Sequence, residues 1–375
     1  MLIAITLISI ILLLLFTEKW YLNRLVSKIP IRILINGTRG KSTSVKYIAA
    51  LLRLNDFKVL SKITGIIPTI YFSDNESEII NRRGGARVTE QFGVIRKAAG
   101  LKVDAIVLEC MSINPELQKL EGKVLRPHFY IITNIKEDHL EELGSTPEEW
   151  AESICEAIPK NCIVITTEKD HLETIKRYAA ERGSKVIANF NAYSKENILI
   201  EGVHPDNLNL VEMFAIEADL KVNEFYDRLR MIDHEKLIIP VKHDDFNVSF
   251  VNAFSANDVP SAKKVFNDRS ENKFKNFVVF NSRADRPFRT VKFMEWLSGT
   301  NSEKYFLTGT NTGLAKRILR RGGIAENKII KVNDKMCDSF TMILKEHVEK
   351  NSLVFGFGNI KGSGIKIINS LTERV

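Results

Sequence analysis

A lysine and two hydroxyl residues lie between an apolar run and a helix-like segment, where they could bind phosphate. The stretch INGTRGKST, residues 35–43, follows IRIL and precedes SVKYIAALLRL. A glycine-rich turn from a strand into a helix presents backbone N–H groups, and the helix adds the positive end of its dipole. Lys41 can then reach phosphate oxygens, and the Ser42 hydroxyl can reach a phosphate-bound Mg²⁺. The general pattern G-x-x-x-x-G-K-[ST] fails by one residue, because Ile35 stands at its first glycine.

Polar residues after two later apolar runs could complete a nucleotide site. AIVLECMS ends a predicted strand at Glu109, and TNIKEDHLEELG after the next run contains Asn134, Asp138 and His139. The carboxyl ends of parallel strands face the ligand crevice of a sheet. Glu109 could bind Mg²⁺ directly or through water, His139 could bind a second metal or the γ-phosphate, and Asn134 could contact adenine. Each residue alone is as typical of a cap, a salt bridge or a solvated loop.

Strand-like and helix-like segments alternate along the chain, which predicts an α/β fold. IRILIN, DAIVLEC, FYIITNI, CIVITT and KVIANF have the composition of buried strands. TPEEWAESICEAI predicts a helix with Thr146 as its N-cap, and HLETIKRYAAERG predicts one that ends at Gly183. This series predicts a mostly parallel sheet that helices cover on both faces. Residues 66–90 break the rhythm and predict a hairpin or a long loop.

A second strand–helix series begins near residue 247 and predicts a smaller C-terminal α/β domain. We therefore predict a membrane anchor helix over residues 1–25, an ATP-binding central domain over 26–230 and a C-terminal α/β domain over 231–375. The charged stretch EFYDRLRMIDHEKLIIPVKHDD is the predicted linker between the two domains.

Composition limits the classes of partner. The chain has 375 residues, a net charge of +8 and 44% hydrophobic residues, which fits a globular protein of about two domains. The positive excess suits nucleic acid, anionic lipid or an acidic substrate. The sequence has no nucleic-acid-binding motif, so we predict no nucleic acid partner. Its four cysteines form no C-x-x-C pair, which predicts reduced, mostly buried thiols.

The first sixteen residues, MLIAITLISIILLLLF, carry no charge and predict a membrane anchor. The run is shorter than the usual span of about 20 residues, but Trp20 and Tyr21 can anchor it at the interface. No small-residue cleavage site follows, which argues against a cleaved signal peptide. A buried first helix is the alternative. Basic residues follow the run and predict a cytoplasmic location for the body of the protein: Lys19, Arg24, Lys28 and Arg32.

The segments GTRGKST, Glu109 and TNIKEDHLEELGST together resemble the motifs of the Mur ligase superfamily, whose members use ATP to form amide bonds. The resemblance is closer to the membrane-linked branch that makes poly-γ-glutamate, through RRGGARVTEQ, LECMSINPE, VNAFSANDVPS, NSRADRPFRT and FGFGNIKGSG. Cell-wall members carry a front domain that grips a UDP-sugar. The phosphate loop follows the anchor too closely for such a domain, so a UDP-linked substrate is not expected.

The resemblance implies roles for individual residues. Lys41, Glu109 and His139 would be catalytic, with Lys41 on the β- and γ-phosphates. Glu109 and His139 would join Ser42 as metal ligands. Asn134 would contact the base, and Arg230 would contact the nucleotide from the hinge between the domains. The implied cofactor-binding set is Gly37, Thr38, Arg39, Gly40, Lys41, Ser42, Thr43, Asn134 and Arg230.

Four further residues are predicted substrate contacts. NRRGGAR places Arg82, Arg83 and Arg87 around two glycines, and guanidinium groups pair bidentately with carboxylates. A solvated basic loop without function is the alternative. Asn257 lies in VNAFSANDVPS, which takes the place of a nucleotide- and acyl-binding segment of the family. Ala256 stands where the family has histidine, which leaves the roles of this segment open.

The resemblance implies a ligase that uses ATP and Mg²⁺ to activate a γ-carboxylate as an acyl phosphate and joins it to the amine of glutamate. The product would be poly-γ-glutamate, made at the cytoplasmic face of the membrane with small membrane subunits as partners. A homo-oligomer stays open. The alternatives are a Mur-type ligase with another acceptor and a membrane-anchored ATPase or nucleotide-binding scaffold of an export or assembly complex.

Overall fold

A computed structural model describes the chain over residues 2–65, 67–73, 76–82, 86–138, 140–190, 204–222, 224–231, 238–243, 246–256, 258–270 and 274–372. Contacts within the chain divide it into two compact units, Met1–Asp233 and His234–Val375.

The N-terminal unit is built on a mixed sheet with the strand order β4-β3-β2-β5-β1-β6-β7-β8. Six neighbouring strands pair in parallel, namely β2, β5, β1, β6, β7 and β8. At one edge, β3 pairs antiparallel with β2, and β4 pairs antiparallel with β3. Its elements are α1 Leu2–Val26, β1 Ile31–Asn36, α2 Lys41–Leu54, β2 Val59–Ile63, β3 Thr69–Tyr71, β4 Ser77–Ile79, α3 Thr89–Leu101, β5 Ala105–Glu109, α4 Pro115–Leu125, β6 Phe129–Ile132, α5 Leu140–Leu143, α6 Pro147–Cys155, β7 Ile163–Thr166, α7 Leu172–Ala180, β8 Lys185–Ala188, α8 Pro205–Glu217 and α9 Phe225–Met231.

Both faces of this sheet are buried, which explains its nearly continuous apolar strands. In β1, Ile33 and Ile35 pack in one core with residues of α2, α8 and α9, while Leu34 packs in the other with residues of α3, α4 and α6. Side chains alternate between the two faces of a strand, so a strand covered on both sides needs apolar residues at successive positions. The predicted mostly parallel α/β sheet is confirmed.

The order of the strands creates a crevice at the carboxyl end of β1. The chain passes from β1 out to β2, returns to β5 beside β1, and then continues on the other side through β6. Glu109 at the end of β5 is in register with Ile35 of β1, and Ile132 at the end of β6 is in register with Asn36. Such a switch point in strand order is where open α/β sheets bind ligands.

Two local predictions are confirmed. The segment that interrupts the rhythm forms a hairpin, in which Ile79 pairs with Thr69. Helix α6 begins with a capping box, because the Thr146 side chain accepts from the Glu149 N–H and the Glu149 carboxylate accepts from the Thr146 N–H. This reciprocal pair satisfies two donors at the start of the helix.

Helix α1 is the one helix among the described residues that is long and apolar enough to cross a membrane. Its last residues, Leu25 and Val26, are buried in the core of the unit, whereas the apolar side chains before Trp20 are exposed. A soluble core helix would bury such side chains, so the exposure of this segment suits a membrane anchor.

The C-terminal unit has its own sheet, with the order β13-β12-β11-β14-β10-β9. The strands pair in parallel except for β9, which pairs antiparallel with β10 at the edge. Its elements are β9 Ile238–His243, β10 Phe246–Asn252, α10 Val259–Arg269, β11 Lys275–Ser282, α11 Pro287–Ser298, β12 Tyr305–Gly309, α12 Thr312–Arg321, β13 Ile329–Lys331, α13 Phe340–His347, β14 Ser352–Phe357 and α14 Ser363–Thr372.

The charged stretch predicted as a linker contains regular structure. Helix α9 occupies its beginning, and strand β9 lies in its second half. The strand contains Pro240, which lacks an N–H donor and is therefore found in edge strands such as this one. The surrounding charges and the proline concealed the short apolar run IIPV, which forms the strand. The four cysteines are free and buried, as predicted.

Candidate active site

The loop between β1 and α2 requires glycine at two positions. Gly37 has φ +116° and Gly40, the N-cap of α2, has φ +81°. A Cβ atom at Gly37 would lie 2.4 Å from Thr133 Oγ1 and 2.8 Å from the Asn134 carbonyl oxygen, and one at Gly40 would lie 2.7 Å from Asn207 Oδ1. Positive φ and close approach both exclude a side chain. The loop is therefore a tight strand-to-helix turn whose shape depends on these glycines.

The segment after β6 holds this loop in place. Thr38 N donates to the Asn134 carbonyl at 2.9 Å, and Thr38 Oγ1 bonds both the N–H and the carbonyl of Lys136. The Asn134 side chain accepts from Arg39 N at 3.1 Å and donates to the Arg39 carbonyl at 3.0 Å. These bonds give Asn134 a role in fixing the loop. Its contact with a nucleotide base stays a prediction.

Lys41 lies at the start of α2 and folds back over the loop. Its ammonium group donates to the Gly37 carbonyl at 2.6 Å and contacts the Thr38 carbonyl at 3.4 Å. The first turn of a helix leaves backbone N–H groups without intrahelical acceptors, and the helix dipole adds partial positive charge there. The loop, Lys41 and the start of α2 together form a site of positive potential that suits a polyphosphate.

Glu109 and Ser42 meet at this crevice, as the sequence predicted. The Glu109 side chain is buried, and its Oε2 accepts from Ser42 Oγ at 2.7 Å and from the Thr64 N–H at 2.7 Å. A carboxylate and a hydroxyl this close offer the hard oxygen donors that Mg²⁺ prefers. Mg²⁺ usually takes only one or two protein ligands and completes its shell with water and phosphate. The described residues contain no cluster of three or more acidic, histidine or cysteine ligands.

The remaining predicted residues are not all placed. His139, Arg83 and Asn257 lie outside the described residues, as does the side chain of Arg230 in α9. The roles of these four residues stay predictions. Thr43 follows Ser42 in the first turn of α2 and is partly exposed.

Arg82 pairs with a carboxylate of the protein itself. Its Nε and Nη2 donate to the two oxygens of Glu90 at 2.7 and 2.9 Å. The hydrogen bonds that Arg82 donates to Glu90 raise the pKa of the guanidinium against the opposing effect of burial. Arg87 is exposed. Of the two described arginines in this loop, Arg87 is therefore better placed for an external carboxylate, and a substrate role for either stays a prediction.

The residues behind Glu109 were missed from the sequence. Gln91, Glu121 and Lys62 are buried around it, and Thr64 bonds its carboxylate. Gln91 belongs to the RRGGARVTEQ segment, but neither it nor the others has a residue type or spacing that by itself indicates catalysis. The one available signal is a lysine inside VLSKI, because a charged residue in a fully buried strand needs a partner.

The C-terminal unit has a small basic pocket of its own. It lies at the carboxyl ends of β11 and β14, and its walls include Arg283, Arg286 and Arg289. Arg283 forms a bidentate pair with Asp285. Burial would raise the pKa of Asp285, but the hydrogen bonds and charge of Arg283 outweigh that effect, so the pKa is lowered. The guanidinium groups come from the NSRADRPFRT segment and would favour an anionic ligand.

The glycines of FGFGNIKGSG serve close packing. A Cβ atom at Gly356 would lie 2.6 Å from Phe250 Cζ, and one at Gly358 would lie 2.4 Å from the Asn281 carbonyl oxygen. Tight strand-to-helix packing therefore accounts for these two glycines.

Comparisons with known proteins identify the family of this chain. The family model of the Mur ligase middle domain matches residues 35–222, and that of the poly-gamma-glutamate synthase CapB C-terminal domain matches residues 238–374. The chain is 29% identical to the capsule biosynthesis protein CapB of Bacillus anthracis, over 93% of this chain and 78% of the relative. It is also 29% identical to the PGA synthase CapB of Bacillus subtilis, over 95% of this chain and 94% of the relative.

The fold is also similar to that of solved enzymes. A bifunctional folylpolyglutamate synthase/dihydrofolate synthase from Yersinia pestis, complexed with AMPPNP and Mn ion, superposes with a TM-score of 0.68 at 14% identity. The match covers 94% of this chain and 91% of the other. At this identity the similarity shows a shared fold.

Proposed function

The chain belongs to the Mur ligase family, and from this premise we propose that it is an ATP-dependent ligase that makes poly-γ-glutamate. The observation that carries the proposal is the pairing of Ser42 Oγ with Glu109 Oε2 at 2.7 Å, directly beside the glycine loop and Lys41. This arrangement combines a polyphosphate site with hard oxygen donors for its counter-ion. The similar chains named for capsule and PGA synthesis supply the substrate class.

The proposed reaction begins when a γ-carboxylate attacks the γ-phosphorus of ATP, which releases ADP and leaves an acyl phosphate. The amine of an incoming glutamate then attacks the acyl carbon, phosphate leaves, and an amide forms. The first step brings several negative charges together, so cationic and hydrogen-bonding groups must offset them. Lys41 would move from the Gly37 and Thr38 carbonyls to the phosphates, while the Gly37–Gly40 loop would orient them. A Mg²⁺ held by Ser42 and Glu109 would neutralise phosphate charge.

Glutamate as the acceptor follows from the family of the C-terminal region and from charge. Residues 238–374 match the C-terminal domain of CapB, and the NSRADRPFRT pocket of this unit carries three arginines. Polyglutamate is a dense polyanion, which suits a chain with a net charge of +8. If the acceptor were not glutamate, these arginines would have to bind some other anionic group.

We also propose that α1 anchors the enzyme to the cytoplasmic face of the membrane, where small membrane subunits would take the polymer. The Arg24 guanidinium lies 5.5 Å from the Trp20 ring centre, and that of Arg96 lies 5.8 Å from the Tyr21 ring centre. Aromatic rings with cationic neighbours are typical of the interface between lipid and water. Removal of residues 1–19 tests the anchor, because it leaves the buried Leu25 intact. A truncated chain that stays in the membrane fraction would contradict the proposal.

The central test measures glutamate-dependent ADP release and polymer formation with ATP, Mg²⁺ and labelled glutamate. The Glu109→Gln variant should lose about 10²–10³-fold in rate, as expected when one group that stabilises transition-state charge is removed. Glu116→Gln is the matched control, since Glu116 is exposed on α4 and pairs only with Lys119 among the described residues. ADP release that no amino acid stimulates would favour the ATPase or scaffold alternative. Full activity of Glu109→Gln would contradict the site.

A further inference from the structure

A cluster of buried polar side chains lies behind Glu109, and the proposed reaction does not use it. We define the Lys62 cluster as Lys62, Glu90, Gln91 and Glu121. The side chain of Lys62 has no exposed surface, and Gln91 and Glu121 are also buried. Charged residues are almost never fully buried unless they are paired, so this lysine needs a structural or functional reason.

Lys62 lies at the end of β2 and uses its ammonium group to join two neighbouring residues of α3. Its Nζ lies 2.6 Å from Glu90 Oε1 and 3.0 Å from Gln91 Oε1, with Met111 Sδ at 3.6 Å. Burial lowers the pKa of Lys62, and the hydrogen bond and charge of Glu90 oppose that effect. Gln91 Oε1 therefore faces the Lys62 ammonium group, which can donate hydrogen bonds but cannot accept them.

This contact fixes the orientation of the Gln91 amide. A lysine ammonium group only donates, so the Gln91 oxygen must face Lys62. The Gln91 Nε2 then points the other way, where it donates to the Glu109 main-chain oxygen at 3.1 Å and to Glu121 Oε2 at 2.8 Å. A flipped amide would place N–H against N–H at one end and oxygen against oxygen at the other.

Glu121 holds the chain that leaves Glu109. Its carboxylate accepts from the Met111 N–H at 3.2 Å, from the Ser112 N–H at 2.9 Å and from Ser112 Oγ at 2.5 Å. Gln91 and Glu121 therefore bond the backbone at Glu109 and at the two residues beyond Cys110. These contacts fix the backbone from which the Glu109 side chain projects.

We propose that Lys62 is a positioning residue for the Glu109 carboxylate, acting through the Gln91 amide. The proposal rests on the proposed function, in which Glu109 takes part in binding Mg²⁺ with the nucleotide. Without Lys62, the Gln91 oxygen loses its donor and the amide is free to turn. Its bonds to Glu109 and Glu121 then weaken, and the carboxylate loses its fixed position. Groups that orient a metal ligand typically change metal affinity or activity by about 10–100-fold.

The test measures the equilibrium binding of a fluorescent ATP analogue to the full-length protein in detergent, as a function of Mg²⁺ concentration. Lys62→Met keeps the length of the side chain and removes its charge, while the Arg82–Glu90 pair remains balanced. We expect the Mg²⁺ midpoint to rise about 10-fold or more. Lys97→Met is the matched control, because Lys97 is a partly exposed lysine of α3 that pairs with Glu78. Its midpoint should equal that of the wild type.

Gln91→Met provides a second, independent variant for the case that Lys62→Met does not fold. It should raise the Mg²⁺ midpoint to a similar extent. The double variant should match Gln91→Met alone, because Lys62 acts through Gln91. A lower melting temperature with an unchanged midpoint would give these residues a purely structural role and overturn the inference, as would multiplied effects in the double variant. Failure of the proposed function is distinguishable, since the wild type itself would then show no Mg²⁺-dependent nucleotide binding.

Discussion

Replacement of Gly37 by alanine should displace the phosphate loop and nearly abolish ligation. The new Cβ would lie 2.4 Å from Thr133 Oγ1, whereas ordinary contacts begin at 3.4 Å, so atoms must move by 3.4 − 2.4 = 1.0 Å. Two further contacts, at 2.8 and 3.0 Å, involve main-chain atoms of Asn134 and Thr133, which cannot rotate away. The loop itself must therefore shift, and its φ of +116° adds backbone strain of roughly 1–3 kcal/mol for an L-residue. A misplacement of about 1 Å can cost about 10²-fold in rate.

The assay is glutamate-dependent ADP formation at saturating ATP, with the melting temperature recorded in parallel. We expect Gly37→Ala to lose about 10²-fold in rate and to melt at a lower temperature. Gly93→Ala is the control, because Gly93 lies within α3 and no atom lies within 4 Å of its added Cβ. That change should leave the rate unchanged and stabilise the helix by about 1 kcal/mol. Near-normal ligation by Gly37→Ala would refute the claim that the loop is rigidly seated on the segment after β6.

Three further predictions concern other parts of the chain. Thr146→Ala removes the N-cap of α6 and should lower the free energy of unfolding by about 1 kcal/mol in denaturant titrations, while Thr146→Ser should not. Burial, aided by a neighbouring guanidinium, lowers the pKa of His128 below its usual 6.5. As the pH decreases below 6.5, the unfolded chain binds a proton at His128 that the folded chain resists, so the free energy of unfolding should decrease as the pH decreases. His128→Gln should reduce this loss of stability. Arg82→Gln should lower the melting temperature because Glu90 loses a bidentate partner, whereas Arg87→Gln should raise the KM for polyglutamate at an unchanged melting temperature. An unchanged KM for Arg87→Gln would remove that residue from the substrate site.

The phosphate loop and Glu109 could be predicted because their residue types and places are unusual. Two glycines shortly before a lysine, at a strand end, have few explanations besides phosphate binding, and the φ values of Gly37 and Gly40 confirm the turn. A carboxylate that ends a buried strand lies at the carboxyl end of that strand, where parallel sheets bind their ligands. The pairing of β5 with β1 then brings Glu109 to the loop. Sequence order and strand geometry were sufficient for these features.

The partners of these residues could not be predicted, because they depend on contacts between distant segments. Nothing near Arg82 in the sequence indicates that Glu90 will accept hydrogen bonds from two of its N–H groups. Gln91 meets Glu109 only because α3 packs against β5. Residue type also misled at β9, where charges and Pro240 resembled a linker but the antiparallel pairing with β10 makes an edge strand.

The charges around Glu109 explain why its carboxylate suits a cation. Lys62 and Arg82 carry two positive charges, and Glu90 and Glu121 carry two negative ones, so the groups behind Glu109 balance without it. Within the described residues, the donors to the Glu109 carboxylate are the Ser42 hydroxyl and the Thr64 N–H, and both are neutral. Neutral donors hold a carboxylate in place without cancelling its charge. A divalent cation shared with the phosphates of ATP would supply the counter-charge that these neutral donors do not. The same balance explains why a lysine occupies position 62, because an apolar residue there would leave one of the two carboxylates of the cluster without a counter-charge.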